Sequence, residues 1–249
     1  MNRCFPVSVT LILTALFGSR AIAQSPGRAV PVDELIPWLL DEDKQLRSVP
    51  FTQVIADVTG KKVLAFDAKN EADQRVIKGI SIACDETLKR LNGPDSPIQQ
   101  IGRINEVSSH FEDSLRELLN ATPGLQCDFP RTTENKVQRS GYPDLRIVDA
   151  ATQRVFYLDP KLYATGSRDS SFRTFYFEPK VATNKVRDDA VHFIVGFEHE
   201  PREKNPAWKF TRWDLVDLSK FKVKLKAEFQ GSNRDMYRPE AIVASGKGD

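Results

Sequence analysis

"PDLRIVDAATQRVFYLDPK" (residues 143–161) predicts two β-strands joined by a short connection, because β-branched and aromatic residues occur in both halves. Side chains alternate between the two faces of a strand, so Asp159 and Lys161 are expected on one face of the second strand. Asp144 lies at the start of the first strand. If the two strands pair as a hairpin, all three polar side chains lie near one end of the sheet.

This group of side chains fits one kind of chemistry. Two carboxylates that converge on one point form a divalent-cation site, and oxygen ligands favour Mg²⁺ or Mn²⁺ over Zn²⁺. A neighbouring lysine orients or deprotonates a water molecule, or stabilises the negative charge that develops around phosphorus. Hydrolysis of a phosphodiester uses carboxylates, a lysine and hard metal ions together. The stretch therefore predicts a metal-dependent phosphodiesterase.

The rest of the chain alternates predicted helices and strands around this pair. Apolar residues recur at helical spacing in 104–120, which predicts the most regular helix. The sequence "NGPDSP" (92–97) follows another predicted helix, 71–91, and marks a candidate subdomain boundary. Further helices are predicted at 32–46 and 183–190, a hairpin at 51–68, and strands at 142–149, 154–164, 172–178, 191–200, 209–218 and 221–229. This order indicates a mixed α/β or α+β sheet.

Pro143-Asp144, followed fifteen residues later by Asp159-x-Lys161, resembles the motif of the PD-(D/E)XK nuclease superfamily. The resemblance spans residues 100–200. It implies an α/β (α+β) fold of the restriction-endonuclease-like class, with a mixed central sheet flanked by helices and an αβββαβ core. In this superfamily the metal-binding aspartate is on the second strand and the acid-x-lysine is on the third. Many members also place a glutamate on the first helix.

The helix glutamate has two candidates. With about 100° of rotation per residue from Ile104, Glu112 lies about 80° from the centre of the apolar stripe and Glu106 about 200° from it. A residue that borders the buried face can reach the sheet, whereas a residue opposite that face points to solvent. Glu112 is therefore preferred, with Glu106 as the reserve.

The resemblance implies a role for each residue of the site. Asp144 and Asp159 are expected to hold Mg²⁺ or Mn²⁺, and Glu112 is expected to complete or extend the metal shell. Lys161 is expected to assist the attacking water. The resemblance implies an endonuclease-like hydrolase, with DNA as the favoured substrate.

Two features depart from the superfamily pattern. Pro160 separates the acid from the lysine, although proline removes a backbone donor from a strand and belongs at an edge or a bulge. A second pair, Glu178 and Lys180, has the same internal proline and lies thirty-four residues after the first aspartate, which requires an insertion. The first pair is preferred, and the second remains an alternative.

Basic residues near the site or along a strand are candidates for contacts with nucleic-acid phosphates. Arg168 and Arg173 lie close to the candidate site in the sequence. The stretch "KFKVKLK" (220–226) alternates lysine with apolar residues, so its lysines share one face of a predicted strand. These lysines are Lys220, Lys222, Lys224 and Lys226. The alternative is an amphipathic strand whose lysine face is only solvated.

Residues 1–23 have the three parts of a secretory signal, namely a positive start, a mostly apolar middle and a small-x-small end at Ala23. Cleavage after Ala23 predicts an exported protein, periplasmic or secreted, and an N-terminal membrane anchor is the alternative. The remaining chain is predicted to contain an N-terminal extension (24–98) and a nuclease-like domain (99–244).

Removal of the signal changes the charge balance. The full chain has 36 lysine and arginine residues and 34 aspartate and glutamate residues. The signal contains Arg3 and Arg20 but no acid, so the mature protein carries 34 of each kind. A near-neutral protein is not a polycation that coats nucleic acid without selectivity, although it has room for a local basic patch.

Cys84 and Cys127 remain after signal removal, and they form either a disulfide in an oxidising compartment or two buried thiols. His110, His192 and His199 have no HExxH or CxxC spacing, so no zinc site is predicted. The alternative functions are an exported non-enzymatic α/β binding module and an inactive nuclease-like fold. No membrane partner is expected after signal removal, and the sequence leaves the oligomeric state open.

Overall fold

The structure, a computed structural model, describes most of the 249-residue chain. The described residues are 31–41, 46–171, 174–202 and 207–247. The predicted signal (1–23) and Arg173 lie outside the described residues. Contacts divide the chain into two compact units, Met1–Glu42 and Asp43–Asp249.

The described part of the first unit contains one helix, α1 (Val32–Asp41). Asp33 and Glu34 lie in its first turn, where negative charge is favourable to the helix dipole. Pro37 lies inside the helix, as the sequence suggests. This helix confirms most of the segment predicted at 32–46.

The described part of the second unit contains four helices and eight strands. The helices are α2 (Phe51–Thr59), α3 (Glu71–Leu91), α4 (Ile104–Asn120) and α5 (Asn233–Met236). The strands are β1 (Val49–Pro50), β2 (Val63–Leu64), β3 (Leu125–Asp128), β4 (Leu145–Asp149), β5 (Val155–Ala164), β6 (Ala190–His199), β7 (Phe210–Asp217) and β8 (Lys222–Val223). Short 3₁₀ helices occur at Pro97–Gln100, Leu218–Lys220 and Pro239–Ala241.

Six of these strands form one mixed sheet, in the order β2-β6-β5-β4-β3, with β7 also paired to β6. Strands β3, β4 and β5 pair antiparallel, whereas β5 and β6 run parallel. Strand β7 is antiparallel to β6, and β2 is parallel to it. A mixed sheet flanked by helices confirms the α/β, restriction-endonuclease-like fold class that the sequence predicts.

Helix α4 packs its apolar stripe on the core. Val107, Phe111, Leu115 and Leu119 are buried in it. The ring of Phe111 lies 4.6 Å, centroid to centroid, from both Phe197 and Phe210, which belong to β6 and β7. Helix α4 therefore has a fixed rotation on the sheet, and this rotation decides which of its polar residues can approach the ends of the strands.

The hairpin predicted at 51–68 is wrong, because helix α2 occupies its first half. Phe51 and Ile55, one helical turn apart, are both fully buried. Gly60 has a φ of 68°, and its N–H donates to the carbonyl of Ala56, which ends the helix in the left-handed conformation that glycine favours. The β-branched residues that suggested a strand instead pack as one face of a helix, so tertiary burial overrides local propensity.

The connection between β5 and β6 also differs from the prediction. Its described residues contain neither the strand predicted at 172–178 nor the helix predicted at 183–190. Asn184 Oδ1 accepts the N–H of Val186 at 3.0 Å, and Tyr157 Oη accepts the N–H of Arg187 at 3.0 Å. Side chains that bind backbone donors in this way compete with helix formation. An irregular segment thus replaces the second helix of the expected αβββαβ order.

The predicted division at residue 98 falls inside the second compact unit. Helix α3 packs on α4, and β2 pairs with the start of β6. The segment preceding residue 98 therefore contributes a strand to the main sheet and a helix to its core.

Both remaining cysteines are free thiols. Cys84 and Cys127 are fully buried in the main core. Burial raises the pKa of Cys127 to about 12, so the thiol stays protonated and unreactive at neutral pH. Of the two alternatives that the sequence allowed, the structure has the buried thiols. Within the described residues, no helix is long and apolar enough to cross a membrane.

Candidate active site

Strands β4 and β5 bring three of the predicted site residues together. Leu145 pairs with Leu158 across these antiparallel strands, so Asp144 and Asp159, one residue beyond on each strand, lie opposite each other. The ammonium group of Lys161 contacts the Asp159 carboxylate, and its Nζ lies 3.9 Å from Asp144 Oδ2. The two carboxylates therefore meet at a single point beside one ammonium group.

The charges in this group are mostly shielded from water. Asp159 is 1% exposed, and the side chain of Asp144 is 12% exposed. Burial, and then the neighbouring Asp159, raise the pKa of Asp144 to about 9, although the Lys161 ammonium acts against this shift. Burial acts to lower the pKa of Lys161, but the two aspartates outweigh burial and the pKa is raised. The Lys161 ammonium thus offsets only part of the negative charge that Asp144 and Asp159 would carry if both were ionised.

The aspartate pair fits a hard divalent cation. Both carboxylate oxygens of Asp159 are buried and have no partner with hydrogen-bond geometry, even though the Lys161 ammonium lies against one of them. Buried carboxylate oxygens without hydrogen bonds are the ligand type that Mg²⁺ and Mn²⁺ select. Within the described residues, no group of three or more His, Cys, Asp or Glu side chains is arranged to hold a metal ion. Asp144 and Asp159 form a pair of converging carboxylates that could hold one.

Glu112 lies beside this group but binds an arginine. The position of Glu112 on α4 turns its side chain inward, so that it is 12% exposed, whereas Glu106 on the same helix is exposed. The Glu112 charge raises the pKa of both Asp144 and Lys161, which places it within electrostatic range of the site. However, Glu112 Oε2 accepts hydrogen bonds from Arg139 Nη2 at 2.9 Å and Nε at 3.2 Å. The structure thus favours Glu112 over Glu106 and gives it a partner that the sequence did not indicate.

Lys185 is a member of the site that sequence reasoning missed. It is 1% exposed, and its Nζ donates to the carbonyl of Gln138 at 3.1 Å. Burial lowers its pKa, while Asp144 and Asp159 act to raise it. No local sequence signal marks Lys185, because it enters the site from the irregular connection that was predicted to be a helix.

A buried aromatic group supports the start of β4. Tyr142 Oη and His192 Nδ1 form a hydrogen bond of 2.6 Å, and their rings stack at 5.9 Å. Burial lowers the pKa of His192 to about 3, so the imidazole is neutral at physiological pH. Phe51 packs edge-on against both rings. This packing fixes the backbone two residues before Asp144.

The alternative acid-lysine pair lies on the surface. Glu178 and Lys180 are joined by a 2.8 Å ion pair, and their side chains are 60% and 55% exposed. Neither residue belongs to a strand. An exposed ion pair of this kind contributes little to the free energy of unfolding.

A further acid on β4 belongs to the scaffold. Asp149 Oδ1 and Oδ2 accept hydrogen bonds from Arg75 Nε and Nη2, each at 3.0 Å. Arg75 and then Thr152 lower the pKa of Asp149 to about 2, although burial opposes them. Asp149 thus ties β4 to helix α3 at the end of the strand remote from Asp144.

The predicted phosphate ligands are scattered. Arg168 Nη1 lies 3.4 Å from Asp214 Oδ2, so part of its charge is already neutralised. Lys220 lies in a 3₁₀ helix. Lys222 lies in β8, which has only two residues because its antiparallel partner β1 is equally short. Lys224 is exposed and lies outside any strand. The single lysine-lined strand predicted at 221–229 is therefore wrong.

The fold defines a class of protein. A mixed sheet flanked by helices, as in this chain, is the restriction-endonuclease-like fold. The family model of the type II restriction enzyme MjaV family matches residues 44–240. The chain belongs to this family.

A curated relative shows the same relationship. The chain is 28% identical over 208 residues to the type II restriction enzyme MjaV of Methanocaldococcus jannaschii. The alignment covers 80% of this chain and 89% of the relative. It therefore includes most of the compact unit that contains the site.

Proposed function

We propose that this protein is a divalent-cation-dependent endonuclease that hydrolyses phosphodiester bonds of DNA, with a PD-(D/E)XK site. One observation carries the proposal. Asp144, Asp159 and Lys161 converge at one point where both carboxylates are largely buried, and the oxygens of Asp159 lack hydrogen-bond partners. Membership of the MjaV family and the name of the relative, a restriction enzyme, support DNA as the substrate.

Asp144 and Asp159 would hold Mg²⁺ or Mn²⁺, which supplies positive charge for activating water and for stabilising charge on the phosphate. Lys161 acts as an ammonium donor, because its contact with Asp159 keeps it protonated. Its Nζ is fixed beside both carboxylates, so it can orient the attacking water and donate to a phosphate oxygen. The side chain of Lys161 is 29% exposed and is therefore accessible to substrate.

The direct test is cleavage of plasmid DNA with Mg²⁺ by the purified mature protein. We expect conversion of supercoiled DNA to linear or fragmented products by the wild type, and none by Asp144→Ala or Lys161→Ala. Chelation of the cation should abolish cleavage by the wild type. Equal cleavage by all three proteins would identify a contaminant and reject the proposal.

The chain offers a matched control for this test. Glu178 and Lys180 have the same acid-proline-lysine sequence as the proposed site but lie on the surface. Glu178→Gln and Lys180→Met should cleave DNA like the wild type. If these variants lose activity while Lys161→Ala retains it, the site is at Glu178 and Lys180, and the proposed pair is wrong.

We also propose that the protein is exported, as the signal-like sequence of residues 1–23 suggests. Expression of the full chain followed by mass measurement of the mature product tests this proposal. We expect a product that begins at Gln24 in the periplasm or the medium. A product that retains residues 1–23 inside the cell would reject export and leave the nuclease proposal untouched.

A further inference from the structure

Arg139 is unusually well fixed for a partly exposed arginine. Its guanidinium donates to Glu112 Oε2 through two nitrogens and to the carbonyl of Ser109 at 3.1 Å. It also forms an ion pair with Asp113, at 3.1 Å. The same group lies 4.5 Å from the centroid of the Phe129 ring, a cation–π contact. All these partners belong to α4 or to the residue that follows β3.

The main consequence concerns Glu112. Its charge acts on Asp144 and Lys161, yet the described residues contain no group of three acids arranged to hold a metal. Glu112 Oε2 is already bound to the Arg139 guanidinium. A third carboxylate is thus near the site but restrained by a competing positive charge.

We propose that Arg139 is a positioning residue that withholds Glu112 from the divalent cation, and that a DNA phosphate releases Glu112 by taking the guanidinium. This inference rests on the proposed function, because it assumes a cation at the aspartate pair. A guanidinium binds carboxylate and phosphate with the same planar donors, so exchange between the two requires no new chemistry. The side chain of Arg139 is 41% exposed, so a phosphate can reach it.

The backbone that carries Arg139 is held by bonds that do not involve its guanidinium. Lys185 donates to the carbonyl of Gln138, the preceding residue. Thr133, in the same connection, donates its N–H to Asn184 and its hydroxyl to Val181. These bonds join the segments before β4 and before β6 on either side of the site. An exchange at Arg139 therefore moves a side chain and not the wall of the site.

The exchange couples two binding events. Each carboxylate added to a divalent-cation site strengthens binding, since affinity depends on the charge and number of the ligands. If DNA releases Glu112, the cation binds more tightly in the presence of DNA, and by linkage DNA binds more tightly in the presence of the cation. The free protein would then hold its cation weakly, and the three-carboxylate site would be complete only in the complex with DNA.

The first experiment measures Mn²⁺ affinity without DNA, by the electron paramagnetic resonance signal of free Mn²⁺. Arg139→Gln should bind Mn²⁺ about 5-fold or more tightly than the wild type, in the usual range of a coupling between sites. The same substitution in an Glu112→Gln background should change affinity less than about 2-fold, because the released ligand is missing. An equal gain in both backgrounds would show a simple charge effect and overturn the inference.

Two readouts separate positioning from damage to the fold. The number of water molecules on bound Mn²⁺, from water-proton relaxation, should be smaller in Arg139→Gln than in the wild type, because Glu112 replaces water. Arg90→Gln is the matched control, since Arg90 is also 41% exposed and binds Glu117 on α4 at 3.1 Å. It should leave Mn²⁺ affinity unchanged. An equal gain in Arg90→Gln would contradict the assignment.

The second experiment tests release by DNA. Lys161→Met removes the ammonium needed for cleavage, so DNA stays intact during the measurement. A short duplex should tighten Mn²⁺ binding more in Lys161→Met than in Lys161→Met combined with Arg139→Gln, where Glu112 is already free. Equal tightening of Mn²⁺ binding in the two variants would reject release of Glu112 by phosphate.

Mn²⁺ binding also separates this inference from the proposed function. If the wild type binds Mn²⁺ and Asp159→Asn does not, but Arg139→Gln binds like the wild type, only this inference fails. If no variant binds Mn²⁺, the inference fails together with the proposed function.

Discussion

Two segments of nearly the same sequence, "FYLDPK" (156–161) and "FYFEPK" (175–180), have different surroundings in the fold. The first lies in β5, between β4 and β6, and is buried on both faces up to Pro160. The second lies outside the sheet, where its phenylalanines pack near Phe51 and its acid and lysine face solvent. An acid and a lysine thus belong to a largely buried charged cluster in one segment and to a surface ion pair in the other.

The difference shows what a short motif contributes and what it does not. An acid and a lysine supply functional groups, but their energies depend on the surrounding dielectric and on neighbouring charges. The neighbours of Asp159 include Asp144 and Lys161, and Asp159 itself is only 1% exposed. Around Glu178, solvent screens the pair. The comparison therefore assigns chemistry to the first segment because of residues outside it.

The largest expected effect tests the first segment. Asp159→Asn keeps the shape of the side chain but removes a charge from the proposed cation site, so cleavage of DNA should fall at least about 10³-fold, which corresponds to about 4 kcal/mol. Initial rates on plasmid DNA at saturating Mg²⁺ measure this effect. A fall of less than about 10-fold would mean that Asp159 is not a metal ligand and that the two segments differ less than their burial suggests.

The pH dependence of stability should also separate the two segments. The pKa of Asp144 in the folded, cation-free protein is about 9, above its unfolded value of about 3.9. The folded state therefore binds a proton that the unfolded state has lost, and the free energy of unfolding decreases as pH rises from about 4 to about 9. The slope for one such group is at most about 1.4 kcal/mol per pH unit.

Urea denaturation of the cation-free protein at several pH values measures this slope. Asp144→Asn, which is neutral throughout, should show a flatter profile than the wild type. Glu178→Gln, on the exposed segment, should keep the wild-type profile. Identical profiles for the wild type and Asp144→Asn would show that Asp144 is ionised in the fold without penalty.

The third prediction concerns Lys185, the buried lysine that accompanies the first segment. Lys185→Met removes positive charge from a site that contains Asp144, Asp159 and Glu112, so cleavage should fall about 10-fold. The free energy of unfolding should fall by about 1–3 kcal/mol, because the carbonyl of Gln138 loses its buried donor. Cleavage rates and urea denaturation of the same preparation measure both effects. Unchanged cleavage would remove Lys185 from the site.

Regular periodicity and strand alternation let the sequence predict much of the fold. Helices 71–91 and 104–120 have the predicted limits, because their apolar spacing is a local property of the chain. The shared face of Asp159 and Lys161 on β5 was predicted in a similar way, from alternation along one strand. The approach of Asp144 to Asp159 followed from the pairing of two neighbouring strands, which needs only a short connection.

The rest of the site depends on contacts between distant segments. Lys185 and Arg139 lie in irregular connections, and each is fixed by partners many residues away. Helix α2 was predicted to be a strand because its β-branched residues outweighed a pattern of only two buried positions, Phe51 and Ile55. No periodicity specifies such positions, so tertiary packing alone decides them.

The smallest expected effect tests the second segment directly. Lys180→Met breaks an ion pair whose two side chains are more than half exposed, so the free energy of unfolding should change by less than about 0.5 kcal/mol. Cleavage should be unchanged, because this exposed pair is not among any group of three or more possible metal ligands within the described residues. Thermal denaturation and plasmid cleavage measure both values. A large loss of cleavage with a normal unfolding transition would show that the exposed segment joins the site when DNA binds, and the contrast between the two segments would then hold only for the free protein.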